Sequence, residues 1–286
     1  MTIGEFFDAW FLLGDAVLAG AIAGATLGFL GVYVVLRRMV FLSAALSQTA
    51  GLGVALAFWA SLWLGADAYS ASPTLGALAT TTLAVALLVF ARRRGAGGSD
   101  AALGVLFLAA SAGTILVGTR IVEEVQDIES LLFGTAVAVE PRHLTLLALV
   151  GAGLALLHLF LWRGFVAVTI DIDGARVRRI PAFALEILLL AGLAVAIAAA
   201  TRVLGAMPAF AFSILPALAA VKLAPNIPRA LWLGGCLGAI CGFGGYLVAT
   251  LWDLPVGATQ TCLGVLFALA AFALKRTMIL ARATSD

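Results

Sequence analysis

Residues 37–53 place a basic pair and a run of small, hydroxylated residues inside an otherwise apolar sequence. Arg37 and Arg38 follow a long apolar stretch and mark a membrane–water interface. The next stretch has four polar side chains at bilayer depth: Ser43, Ser47, Gln48 and Thr49. Polar groups in the hydrocarbon core cost free energy unless they have a partner or line a path. The segment therefore predicts a membrane-spanning chain with a polar surface along which a solute could pass.

The composition supports a protein that crosses the membrane many times. Of the residues, 63% are hydrophobic and 11% are charged, and the mean hydropathy is +1.14, whereas soluble domains carry roughly 25% charged residues. A chain of 286 residues has room for about eight to ten helices of ~20 residues. The apolar runs are continuous and do not alternate, which disfavours a β-barrel. We therefore predict an all-α, polytopic transmembrane helical bundle.

The apolar runs predict nine membrane spans. They lie at residues 11–36, 41–65, 74–91, 101–118, 143–162, 182–200, 206–223, 230–251 and 258–274. The weakest boundary lies around residues 201–207. Residues 182–223 could instead form one span and a half-helix or re-entrant segment, which would give eight spans.

The basic residues orient the bundle. Of the seventeen lysines and arginines, only Arg120, Arg142 and Arg202 fall on one set of alternate connections, and fourteen fall on the other. The positive-inside rule places the richer set in the cytoplasm, with the N-terminus outside and the C-terminus inside.

The largest inner connection is predicted at residues 163–181. Asp171 and Asp173 precede a basic cluster there, so an aspartate cap followed by a short helix is expected. Such a helix on the inner surface could receive force from a cytoplasmic motor subunit, or the segment could be an ordinary loop. The sequence has no G-x-x-x-x-G-K-[ST] pattern, so ATP-driven transport would require an ATPase on another chain.

Other residue types indicate packing. The glycines within 19–24 and 234–245 predict close helix contacts. The three cysteines, all in apolar runs, are expected to be small buried residues. His143 is expected at the interface and His158 as a packed or snorkelling residue. We expect Gln260 to pair with Asp253 across the turn at Pro255.

Four segments together resemble the membrane permeases of metal-type ABC importers, the zinc/manganese/iron family. Residues 39–55 look like the family's F-x-x-D-x-L-S-H-x-x-x-x-G-x-A signature, and residues 131–134 are similar to its L-L-F-G motif. Residues 171–176 resemble the cytoplasmic D-x-x-x-A-R, and residues 204–257 resemble the V-G-x-x-L, L-x-x-P-A and D-x-P-x-G series. The resemblance implies the fold of metal and vitamin B12 ABC importer permeases.

The chain departs from this pattern at three positions. Ala44 stands at the family's Asp and Gln48 at its His, the two residues that meet the metal ion in mid-membrane in the family. An Asp/His pair at i and i+4 suits Zn²⁺ or Mn²⁺, whereas Gln48 offers only an amide oxygen. Arg179 stands where the family has Gly. The resemblance therefore supports membership more strongly than metal transport through the usual site.

The resemblance implies a subunit without catalytic residues or a bound cofactor of its own. Residues 1–286 would form one permease domain in a prokaryotic cytoplasmic membrane, with residues 163–181 as its coupling segment. The implied translocation path includes Ser43, Ser47, Gln48 and Thr49. The implied docking residues are Asp171, Asp173, Ala175, Arg176, Arg178 and Arg179.

The implied partners are a cytoplasmic ATP-binding-cassette ATPase that carries the ATP, an extracytoplasmic substrate-binding protein and a second permease copy or paralogue, all at a lipid bilayer and without nucleic acid. The paralogue could retain the Asp/His pair, or the complex could move a chelated metal or another small solute.

A different class also stays open, namely an ATP-independent secondary transporter or an intramembrane enzyme. An ion-coupled carrier would need an acidic residue in mid-span, but Asp15 and Glu186 lie near span ends. An intramembrane protease would need a catalytic constellation at depth, and no such pattern is visible in the sequence.

Overall fold

The computed structural model describes residues 1–64, 73–93, 100–121 and 139–283, and the regular elements in these ranges are α-helices. They are α1 (Ile3–Asp8), α2 (Trp10–Leu36), α3 (Val40–Leu64), α4 (Pro73–Arg93), α5 (Asp100–Gly118), α6 (Pro141–Ile170), α7 (Ile172–Val177), α8 (Ala182–Leu204), α9 (Ala206–Leu223), α10 (Ile227–Trp252) and α11 (Val256–Ala283). Within the described ranges, nine helices are long and apolar enough to span a membrane, which confirms the predicted all-α bundle. The L-L-F-G motif at residues 131–134 lies outside them.

Helix α6 is longer than the sequence pattern predicted. It has 30 residues and ends only at Asp171, whose backbone is extended with φ −149°. Residues 163–170 were predicted as part of the inner connection, but they contain no proline and continue the helix. At 1.5 Å per residue the helix is about 45 Å long, against a hydrocarbon core of about 30 Å. One end of α6 therefore projects beyond the bilayer.

Residues 182–223 form two helices, with the break at Gly205. This residue has φ 95°, a conformation that side-chain-bearing residues rarely adopt. Leu204 and Ala206 on either side are 1% and 0% exposed, so the turn itself is buried. The two-helix prediction for this region is confirmed, and the backbone freedom of the glycine explains how α8 ends and α9 begins within one residue.

The centre of the bundle is a direct backbone contact between α2 and α10. Glycines at every fourth position meet in pairs: Gly20 with Gly242, Gly24 with Gly238, and Gly28 with Gly234. A Cβ atom at five of these positions would overlap a backbone carbonyl of the facing helix, and at Gly20 it would lie 3.2 Å from the carbonyl oxygen of Gly242. The predicted close packing is confirmed, because only glycine lets the two helix axes approach this far.

Gln260 on α11 fastens this contact from the side. Its Nε2 donates a hydrogen bond of 3.0 Å to the carbonyl of Gly242 and lies 2.9 Å from the Cβ position of Gly20. The side chain is fully buried and passes over Gly245. The expected pairing of Gln260 with Asp253 was therefore wrong: the buried amide donates to a carbonyl at the glycine contact, and its Oε1 has no hydrogen-bond partner among the described residues.

Helices α3, α4 and α5 form a second packing unit. Gly53 of α3 and Gly76 of α4 meet backbone to backbone, and the hydroxyl of Thr80 donates a 2.9 Å hydrogen bond to the carbonyl of Thr49. Helix α8 lies between this unit and the α2–α10 pair, since it contacts α2, α3, α4, α6 and α9. The bundle thus has two tightly packed parts joined through α8 and through α9, which also contacts α3.

The ends assigned to the cytoplasm by charge meet in the structure. Arg37 after α2 and Glu186 on α8 form an ion pair of 3.4 Å, with side chains only 10% and 15% exposed. Arg38 follows with φ 56°, and the amide of Met39 donates to the carbonyl of Val34. This left-handed turn reverses the chain tightly from α2 into α3. We call this side of the bundle the cytoplasmic side.

The cysteines depart in part from expectation. Cys241 is buried, as predicted, but Cys236 and Cys262 are exposed on the outside of the chain. Both lie on apolar helices, so periodicity alone does not distinguish a core face from a lipid-facing one.

We predict that Gly24→Ala destabilises the protein, because its methyl group would overlap the carbonyl of Gly238. Overpacking of this kind costs about 1–3 kcal/mol. The matched control is Gly153→Ala on α6, where nothing lies within 4 Å of the new Cβ and the substitution favours the helix. Thermal unfolding midpoints in detergent should fall for the first variant only. Equal midpoints would contradict the role of the glycine contact.

Candidate functional site

The polar residues predicted for the translocation path lie on different sides of α3. Ser43, Ser47 and Thr49 are 0%, 1% and 5% exposed, whereas Gln48 is half-buried. Ser47 donates to the carbonyl of Ala44 at 3.0 Å and Thr49 to that of Ala45 at 2.6 Å. Their hydroxyls are thus satisfied by the helix's own backbone. Gln48 is the member of the set that the structure leaves accessible.

Gln48 and Ala44 share one face of α3, since they lie one turn apart. The same side of α3 packs against α5 above and below them. The rings of Phe41 and Phe107 are 6.0 Å apart, and Leu52 lies 3.1 Å from the Cβ position of Gly113. Gln48 therefore lies at an α3–α5 seam, between two apolar contacts, at the margin of the bundle, since α5 packs mainly on α3.

Ser43 lies deeper in the bundle, and its hydroxyl has no hydrogen-bond partner among the described residues. A buried hydroxyl left unpaired costs about 1–3 kcal/mol. Ser43 lies one residue from the Ala44 position but more than a quarter turn around the helix from Gln48. The structure therefore does not bring Ser43 and Gln48 to a common surface.

The described residues contain no group of three or more His, Cys, Asp or Glu side chains that could hold a metal ion. His158 is a packed residue, as one prediction had it. Its ring nitrogens lie 3.3 and 3.4 Å from the hydroxyl of Tyr33, and its ring meets Phe29 edge-on at 4.6 Å. Phe165 stacks on it at 5.9 Å. This aromatic cluster joins α6 to α2, and His143 lies half-buried at the opposite end of α6.

The short helix predicted in the cytoplasmic connection is present as α7. Asp171 caps it, because its Oδ1 accepts hydrogen bonds from the amides of Asp173 at 3.1 Å and Gly174 at 2.9 Å. A side chain at Gly174 would overlap the Asp171 carboxylate. Ala175 is 3% exposed and belongs to an apolar cluster with Phe165 and other residues from α2, α6 and α8. The helix is thus fixed to the ends of three spans.

Helix α7 ends in a left-handed turn at Arg179. The amide of Arg179 donates to the carbonyl of Arg176 and that of Ile180 to the carbonyl of Ala175, both at 3.0 Å. Arg179 has φ 58°, a conformation that costs a non-glycine residue roughly 1–2 kcal/mol. The departure from the family's glycine at this position is therefore a substitution at a backbone site that glycine fits best.

The outward face of α7 combines basic and apolar side chains. Arg176, Arg178 and Arg179 are exposed, and Arg176 pairs with Asp173 at 3.0 Å. Val177 is 84% exposed and Ile170, at the end of α6, is 68% exposed. We call these residues, together with Asp171 and Asp173, the α7 surface. Sequence reasoning missed Val177 and Ile170, although an apolar residue inside a basic cluster was the available signal.

Comparisons with known proteins agree with the fold. A sequence model described as "ABC 3 transport family" matches residues 10–275. The chain is 27% identical to the manganese transport system membrane protein MntC of Halalkalibacterium halodurans, over 97% of this chain and 93% of that protein. It is 26% identical to the high-affinity zinc uptake system membrane protein ZnuB of Haemophilus influenzae, over 93% of this chain and 98% of that protein.

A solved structure has the same architecture. It is PsaBC from Streptococcus pneumoniae in complex with a Fab, with a TM-score of 0.81 at 24% sequence identity. The match covers 95% of each chain. At this identity the similarity establishes a common fold, here extending over nearly the whole length of both chains.

We predict that Arg179→Gly stabilises the protein by about 0.5–1 kcal/mol, because glycine relieves the left-handed backbone. The control is Arg178→Gly, which removes an equal charge at a residue with φ −78° and should be neutral or destabilising. Thermal unfolding of the purified protein in detergent measures both. If the unfolding midpoint of Arg179→Gly is no higher than that of Arg178→Gly, the left-handed conformation carries no strain.

Proposed function

Since this chain belongs to the ABC 3 transport family, we propose that it forms the translocation path for a divalent transition metal, manganese or zinc, in an ATP-binding-cassette importer. As a membrane permease subunit it is not itself the ATPase, and it crosses the cytoplasmic membrane several times. Membership rests on the match over residues 10–275. Manganese and zinc are proposed because each is the metal named for one of the relatives described above.

The observation that supports the path is the position of Gln48. It is the accessible polar residue among those predicted on α3, and it lies on the same face as Ala44. Ala44 and Gln48 stand at the two positions that contact the metal in the family. Phe41 and Leu52 on either side provide apolar walls against α5. A permeating ion at this seam would meet an amide oxygen in place of a charged carboxylate and an imidazole.

Two consequences follow for the substrate. A neutral amide compensates the lost hydration of a divalent cation much less than a carboxylate does, so the ion would be held loosely and would leave easily. We further propose that the importer contains two copies of the chain, or this chain and a paralogue that retains the Asp/His pair. Ser43, Ser47 and Thr49 then support α3 within the bundle and act on the path only through its position.

The neutral lining also favours a second substrate class, a chelated metal or another small polar solute. A chelate carries its own ligands and needs no charged protein side chain in mid-membrane. The replacement of both family ligands, Ala44 and Gln48, is the observation that favours this alternative.

The α7 surface is proposed as the docking site of the cytoplasmic ATPase, which would bind the ATP. Asp171 and Ala175 fix α7 to the spans, while Val177 and the arginines remain outward. Force applied to α7 would pass through Ala175 and Phe165 to α6 and α8. An extracytoplasmic binding protein would deliver the substrate at the opposite side.

We predict that the double variant Ala44→Asp, Gln48→His binds Zn²⁺ or Mn²⁺ at least about tenfold more tightly than the wild type, because it restores a charged ligand pair on one face. Isothermal titration calorimetry of the protein in detergent measures the affinity. Each single variant is a control and should gain less than the pair. Unchanged affinity of the double variant would show that this face does not meet the ion.

We predict that charge reversal at Arg176, Arg178 and Arg179 reduces substrate-stimulated ATPase activity at least about tenfold in the reconstituted complex, since like charges oppose docking. The control reverses Lys275 and Arg276, which are exposed at the cytoplasmic end of α11. Val177→Asp should weaken assembly with the ATPase without changing the number of basic residues. Normal assembly and uptake in the α7 variants would exclude this docking surface.

A further inference from the structure

A deep apolar groove lies between α2, α6 and α10, away from the α3–α5 seam. It has a volume of about 510 Å³ and is open to the outside of the chain beside the exposed Trp232 and Cys236. Small side chains create it, among them Ala25, Ala152, Ala155, Gly235 and Ala239. Neither the translocation path nor the α7 surface uses these residues.

The groove exists because α6 packs on α2 and α8 but not closely on α10. Gly151 packs on Thr26, whose Oγ1 is 2.8 Å from the glycine's Cβ position. Further along, His158 meets Tyr33. Between these contacts the alanines of α6 leave a space that the closely packed α2 and α10 do not fill. The outer side of α6 faces the membrane, as Leu149 is 67% exposed.

The chemistry of the lining selects an apolar occupant. Thr26 is its hydroxyl-bearing residue, and that hydroxyl already donates to the carbonyl of Ile22 at 2.9 Å. The remaining lining consists of apolar side chains, glycines and the thiol of Cys236. A hydrogen-bonding ligand would lose its water without finding a partner, whereas a hydrocarbon chain would fill the space favourably.

The cytoplasmic end of the groove carries cationic and aromatic side chains. Trp232 is 71% exposed, and its ring contacts that of Phe29 at 6.5 Å. Arg229 is exposed one helical turn before Trp232 on α10. On α6, Arg163 is exposed, and its guanidinium lies 5.8 Å from the ring of Trp162. Tryptophan and arginine at this depth are the side chains that meet lipid headgroups.

We propose that this groove binds one anionic phospholipid of the cytoplasmic leaflet. An acyl chain lies between α2, α6 and α10, and the phosphate lies beside Arg229 and Arg163. The positive charge at one end and the apolar space beyond it match the two ends of such a lipid. The bound chain supplies packing between α6 and α10 and so keeps the end of α6, and α7 with it, in place.

The test uses the purified full-length protein in detergent, titrated with phosphatidylglycerol or phosphatidylcholine and followed by native mass spectrometry. The wild type should retain one phosphatidylglycerol per chain and bind phosphatidylcholine at least tenfold more weakly. Ala152→Trp fills the groove and should lower phosphatidylglycerol binding at least tenfold. The matched control, Leu149→Trp, faces lipid outside the groove and should bind as the wild type does.

A second pair of variants tests the charged end. Arg163→Gln with Arg229→Gln should remove the preference for phosphatidylglycerol, while Lys275→Gln with Arg276→Gln should keep it. Wild-type protein that binds both lipids equally, or an Ala152→Trp variant that binds as well as the wild type, would overturn the proposal.

The competing possibility is that a second copy of the chain, and not a lipid, occupies the groove. Oxidative cross-linking in native membranes distinguishes it in a Cys262→Ser variant, where Cys236 is the remaining exposed thiol of the described residues. Cross-linked dimers through Cys236 would overturn lipid binding, and monomers alone are expected. Neither result depends on which substrate the protein transports.

Discussion

The backbone contact between α2 and α10 determines how the other helices can pack. Three glycine pairs bring these helices together so closely that no side chain fits between them. In a bilayer the hydrophobic effect does not drive helices together, so close van der Waals contact has to supply the association. Gln260 then uses the carbonyl of Gly242, which this contact exposes, to bind α11. Helix α9 joins through Gly31, which packs on the carbonyl of Ser213. The rest of the bundle is arranged around this pair.

The proposed working parts lie outside that glycine-packed centre. Gln48 is at the α3–α5 seam, and α7 is attached to the ends of α2, α6 and α8. Helices α8 and α9 connect the two parts, because each contacts α2 as well as α3. The cytoplasmic end of α8 is tied to α2 by the ion pair between Arg37 and Glu186. A displacement of α7 would therefore reach α3 through α8.

Several features could be predicted from the sequence because they depend on local chemistry. Continuous apolar length predicts spans, glycines at every fourth position predict close helix contacts, and Asp171 before a basic cluster predicts the cap of α7. Four segments taken together, among them the series around Ser47, indicated the family. Other features depend on what a helix meets in space. Gln260 and Cys236 both lie on apolar helices, yet one is buried in the centre and the other faces a groove.

The sequence by itself determined the class of protein, the approximate spans and the absence of the Asp/His pair at residues 44 and 48, because these follow from hydropathy and residue identity. Only the tertiary structure decided which polar residue of α3 is accessible. Hydroxyls at Ser47 and Thr49 bond to their own helix, whereas Gln48 is turned to the seam. It also decided that Arg179 occupies a left-handed turn and that α6 leaves an apolar groove. Each of these three features depends on which residues of other helices lie nearby. The spacing of apolar residues along one helix does not contain that information.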